Sequence, residues 1–145
     1  MNWIELFESL DENASTSEPA KDFVVEQIKE QTGTEISGQL LELLMQTNGI
    51  INKRFGDYLV YSYDRIIECH ELFNTHYPRD ENELLQSLLF IADDGCGDYF
   101  GYVVSGGKIE TEEIGVYYPI TNEYKIVAPS LREWAIEWYS GKLVI

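Results

Sequence analysis

The chain has 145 residues, 44% hydrophobic and 13% aromatic, enough for one domain with its own core and no need of disulfides or metal. Twenty-six acidic residues against ten basic ones give a formal net charge of -16, which argues against nucleic acid and anionic membrane as direct ligands, since both bind basic surface. No stretch approaches the roughly 20 apolar residues of a membrane span, and the acidic start "MNWIELFESLDENAS" lacks the features of a signal peptide, so a cytoplasmic protein is expected.

"NWIELFESL" places Trp3, Leu6, Phe7 and Leu10 on one helical face. The polar "DENASTSEPA", with Pro19, reads as a linker. A second helix is predicted from near Pro19 through "KDFVVEQIKEQ" to a stop at Gly33. A third follows Ser37 as N-cap, carries Leu40, Leu41, Leu43 and Leu44, and ends at Asn48-Gly49. "IINKRFGDYLVYSY" holds two short strand-like runs around Gly56. Asp64 is the expected cap of a helix through "RIIECHELF", with Ile66, His70 and Phe73 at helical spacing.

"NELLQSLL" predicts a helical turn leading into the strand "LLFIA". "DDGCG" then turns, and "DYFGYVV" leaves as the next strand, with Asp98 expected to hydrogen-bond backbone in the turn. "SGG" at 105–107 makes a hairpin into "KIETEEIGVYYPI", and "YKIVA" ends at Pro129. Ser130 with Glu133 forms a capping box for a last helix that aligns Leu131, Trp134, Ala135 and Trp138 and stops at Gly141. Neither an internal repeat nor a low-complexity segment is present. The order predicts a single α+β domain over residues 1–145, with a central antiparallel sheet packed by N-terminal helices and a closing C-terminal helix.

Chemistry-bearing clusters are few. Asp93, Asp94 and Asp98 lack the alternating ligands and the in-register glutamate of a calcium loop, and adjacent aspartates on extended backbone point apart. "GCG" lacks the pattern and the lysine of a phosphate loop, and the neighbouring carboxylates repel phosphate. His70 and His76 have no nucleophile at working spacing, since Cys69 and His70 are helix neighbours facing different ways. Cys96 sits among carboxylates, with none of the neighbouring positive charge that activates a nucleophilic thiol. Cys69 and Cys96 read as free buried thiols, and their spacing with the histidines fits no zinc finger. No catalytic, metal or cofactor site is therefore expected.

Ten tyrosines remain to be placed. "YLVYSY" alternates as a packed strand does, which accounts for some of them. Tyr117 and Tyr118 are adjacent, so on a regular strand one points inward and the other out. An outward tyrosine beside Glu110, Glu112 and Glu113 would make a binding edge. With Asp93 and Asp94, these residues form the candidate partner-binding surface.

"LLFIADDGCGDYFGYVV" resembles the SUKH superfamily, whose hallmark is an apolar strand, an acid-and-glycine turn, "GD", and an aromatic strand. Gly95, Gly97, Asp98 and Tyr99 carry that resemblance. Upstream, "QTGTEISGQLLELLMQTNGI" is similar to the family's helix ending in "NG", here Asn48 and Gly49, although Ile36-Ser37 stands where the family often has a proline. Downstream, "VYYPITNEYKIVAPSLREWAIEWYSG" is similar to its closing strand and helix, so the motif-bearing core covers about residues 25–141.

The resemblance implies a non-enzymatic protein. Bacterial members are typically immunity proteins of polymorphic toxin systems, and the YobK-like group pairs with LXG-type secreted nucleases. The implied partner is a cognate toxin whose basic nuclease domain an acidic binder could occlude. A regulatory protein-interaction module of the same superfamily is the alternative.

Overall fold

Six helices and eight strands form among the described residues, 1–77 and 81–145 of a computed structural model. Helix α1 (Trp3–Leu10) is capped by Asn2, whose side chain accepts from the Glu5 N–H, and it buries Trp3 and Phe7. Burying an apolar side chain of this size contributes about 1.5–3 kcal/mol, so two anchors suffice to fix a two-turn helix. The stretch expected to be a linker contains strand β1 (Ala14–Thr16). Its polar residues pair with β2 (Ile50–Asn52), and hydrogen bonding, not apolar burial, makes it a strand.

Helix α2 (Val24–Thr32) starts later than expected and stops at Gly33, whose φ of 78° is the left-handed C-cap conformation. Helix α3 (Gly38–Leu44) buries Leu40, Leu43 and Leu44 and ends before Asn48-Gly49. Strand β2 pairs with β3 (Tyr58–Val60), so the two runs around Gly56 are strands. Helix α4 (Tyr63–His76) is capped by Ser62, not Asp64, because the Ser62 hydroxyl accepts from the Arg65 N–H. Helix α5 (Glu83–Gln86) leads into β4 (Leu88–Asp93), as "NELLQSLL" suggests.

Strands β5 (Tyr99–Ser105) and β6 (Lys108–Ile109) form the expected hairpin. "KIETEEIGVYYPI" is broken, however: β6 ends after two residues and β7 (Ile114–Tyr118) begins five residues later. Strand β8 (Glu123–Ala128) precedes helix α6 (Leu131–Tyr139), where the Ser130 hydroxyl accepts from the Glu133 N–H. Only that half of the capping box forms, since the Glu133 carboxylate pairs with Arg132.

Two antiparallel sheets result, where one was expected: β1-β2-β3, and β4-β5-β7-β8 with β6 alongside β5. A backbone bond from the Tyr61 N–H to the Ile91 carbonyl (2.8 Å) joins them at β3 and β4. Strand alternation divides the larger sheet's aromatics. Phe90, Tyr99 and Tyr117 meet Phe73 of α4 on one face. Phe100 meets Trp134 and Trp138 of α6 on the other, and Tyr139 of α6 reaches Phe7 of α1. The sheet is thus covered on both sides, and β4 reads as an unbroken apolar run for that reason.

Candidate functional site

The turn between β4 and β5 is built by its own aspartates. Asp94 Oδ1 accepts from the Cys96 and Asp98 N–H groups (2.8 and 3.0 Å), and Asp93 Oδ1 accepts from Gly95 (2.8 Å). Gly95 and Gly97, with φ of 77° and 105°, supply the left-handed positions the turn requires. Asp94, not Asp98, is the side chain that holds the backbone. Asp93 leans the other way, where its Oδ2 accepts from the Tyr61 hydroxyl. Asp98 is left beside Asp94, and burial followed by that neighbouring carboxylate raises its carboxyl above the ordinary value. Among the described residues, no three His, Cys, Asp or Glu side chains converge to hold a metal ion.

Asn48 and Gly49 form a joint. Asn48 Oδ1 accepts from the Tyr63 N–H (3.0 Å), so Asn48 and Ser62 share the capping of α4. Gly49, at φ 79°, lies so near α4 that a Cβ would stand 2.5 Å from the Ser62 nitrogen. Both residues position α4 and its entry.

The other acidic candidates are not in one place. Tyr117 pairs with Tyr99, and Ile114 with Ala128, so β7 runs from the glutamate loop toward the aspartate turn. The five residues of β7 put about 13 Å between its ends, so Tyr118 does not stand beside Glu110, Glu112 and Glu113. Tyr117 is 1% exposed, and its hydroxyl donates to Asn122 (2.7 Å), which removes it from the candidate surface. Tyr118 is half-buried, with Lys125 over its ring. Glu112 is also occupied: its carboxylate sits on Gly38 and accepts from the Gln39 N–H at the start of α3. Glu110 and Glu113 are exposed.

Composition alone did not signal the groove beside the aspartate turn. A space of about 390 Å³ lies between the last turn of α4, the 96–99 segment, and Pro119-Ile120 of the β7–β8 connection. Phe73 and Tyr99, with ring centroids 4.9 Å apart, form part of its lining. Leu72 and Tyr77 are 44% and 46% exposed at its edge, and Ile120 is 99% exposed. Cys96 is exposed here, contrary to the expected burial, whereas Cys69 is buried, and the two cysteines form no disulfide with each other. The available signal was Ile120, an isoleucine inside "YYPIT", where a turn calls for polar residues.

The family model that matches the chain is that of the SMI1 / KNR4 family (SUKH-1), over residues 19–137. No individual curated protein matches it.

Proposed function

On the premise that the chain belongs to the SMI1 / KNR4 family (SUKH-1), we propose that it is an immunity protein of the YobK-like kind. It binds a cognate secreted toxin, of the LXG nuclease type, in the cytoplasm of the producing cell and blocks its active face. The family is generally non-catalytic and includes immunity and regulatory proteins. The observation that carries the proposal within that family is the net charge of -16. A nuclease must present basic surface to polyphosphate, and an acidic binder gains both association rate and complementarity from that surface.

The fold suits occlusion. A sheet covered on both faces holds its connecting turns rigidly, so little ordering entropy is lost when they dock. Among the described residues no helix is long and apolar enough to cross a membrane.

The test is co-expression with the toxin domain encoded beside this chain. Survival of the host and recovery of a complex support immunity. If no toxin gene adjoins, or if cells die despite abundant folded chain, the regulatory-module reading takes its place.

A further inference from the structure

Among the described residues, large apolar side chains exposed to solvent are Met1, Phe23, Phe55, Leu72, Tyr77, Ile120, Ile126 and Val144. Four have local explanations. Met1 and Val144 are at the chain ends, Phe23 packs edge-on against Tyr63, and Phe55 lies under Arg54. Leu72, Tyr77 and Ile120 differ, because they come from two segments, the C-terminal end of α4 and the β7–β8 connection, and border the same groove. Exposed apolar side chains that converge and carry a polar rim mark interaction surfaces.

The rim here is acidic. Asp98 lines the groove, and Asp94 lies beside Asp98 in the same turn. The ion pairs among the described residues are Met1 with Glu42, Arg65 with Glu68 and Arg132 with Glu133, and none reaches this turn. The groove thus offers an apolar space next to carboxylates that, among the described residues, join no ion pair, with the His76 imidazole also in its lining. A second copy of a chain at -16 would bring like charge to that rim, so the complementary occupant is a basic polypeptide.

We propose that this groove, and not the glutamate loop at the other end of the sheet, is where the toxin docks. An apolar side chain of a basic toxin segment fills the space between Leu72, Tyr77 and Ile120, and an adjoining Lys or Arg meets Asp98 at the rim. This rests on the immunity reading above and gives it a location.

The substitutions Leu72→Glu and Ile120→Glu lie at exposed positions and leave the core intact. Asp98→Lys reverses the rim, and Glu110→Lys with Glu113→Lys serves as the control at the far end. Folding of each is checked by circular dichroism and thermal melting. Calorimetric titration with the co-encoded toxin domain should show the Leu72→Glu/Ile120→Glu pair weakened roughly thirtyfold or more. Asp98→Lys should weaken binding about tenfold, mainly through slower association, with the control close to wild type. A second arm uses NMR titration of the free chain with a short Lys/Arg peptide carrying one leucine, and with its acidic twin. Shifts at Leu72, Tyr77, Asp98 and Ile120 with the basic peptide alone support the groove.

Toxin binding that is normal in the groove variants overturns the location and leaves immunity standing. Absent toxin binding with groove shifts by the basic peptide overturns immunity and leaves the groove standing. Failure in both arms, or a dimer of the free chain abolished by Ile120→Glu, overturns the proposed occupant.

Discussion

The Tyr61 hydroxyl donates a 2.5 Å hydrogen bond to Asp93 Oδ2, across the join between the two sheets. The Arg65 guanidinium lies over the Tyr61 ring at 5.2 Å. Burial, with the neighbouring Asp93 contributing, holds the Tyr61 hydroxyl well above the ordinary phenol range, so it stays protonated and can donate to Asp93. Asp93 is thereby fixed between Tyr61 on one side and the Gly95 N–H on the other. Tyr61→Phe should cost about 1.5–3 kcal/mol, the range for a hydrogen bond to a charged group. Urea unfolding measures it, and hydrogen exchange should quicken at Gly95. An unchanged midpoint contradicts this role.

Gly101 and Gly115 are cross-strand partners that differ in what crowds them. A Cβ on Gly101 would stand 2.1 Å from the Leu89 carbonyl oxygen, which is backbone, whereas one on Gly115 would meet the Tyr124 ring at 2.2 Å. Tyr124 lies across Gly115 and donates its hydroxyl to the Gly101 carbonyl (3.1 Å). Gly101→Ala should therefore be the more damaging, by about 3 kcal/mol or more, since no side chain can yield. Gly115→Ala should be partly rescued by Tyr124→Ala. A double-mutant cycle reads the coupling, and additivity of the two changes contradicts the packing.

Asn48→Ala removes an acceptor from the α4 N-terminus and should cost about 1 kcal/mol. Gly49→Ala should cost more, because it combines a left-handed φ of 79° with a backbone clash at Ser62. Thermal melts of the two variants give the order, and a milder Gly49→Ala contradicts it.

Asp98 makes the chain's acid response distinctive. Its folded carboxyl is raised above the ordinary value by burial first and by Asp94 next, so the folded chain takes up this proton before the unfolded chain does. The ionised group detracts from stability at neutral pH, and that penalty fades as pH falls through the raised folded value toward the unfolded one. On the proposed docking, a partner cation at the rim favours the ionised form, so affinity should fall through the same acidic window. Comparing the wild-type side chain with Asp98→Asn in a His76→Asn background isolates Asp98 from the imidazole lining the same groove. Equal pH slopes contradict the assignment.

Elements with strong apolar period were legible in the sequence. Trp3 and Phe7, the α3 leucines and the α6 tryptophans sit where helical spacing puts them. Strand β1 was not legible, because "AST" has no apolar alternation and becomes a strand only when β2 arrives from some 35 residues later. Asp64 gave way to Ser62 as a cap because the choice between neighbouring polar residues is set by where Asn48 and Gly49 hold the chain.

The candidate site was legible only in part. Adjacent Tyr117 and Tyr118 implied one buried ring, but which one depends on the register with β5. Grouping the acids by sequence joined Glu113 to Tyr118 along a strand whose length separates them. The groove brings α4 to the β7–β8 connection, and no local pattern encodes a contact between segments more than 40 residues apart.

The central claim, inhibition by direct binding, is tested most directly by titrating the chain into a nuclease assay of the co-encoded toxin domain. The expected result is a linear loss of activity that reaches zero at one chain per toxin, with the complex recovered by size exclusion. Full nuclease activity in the presence of excess folded chain would contradict it.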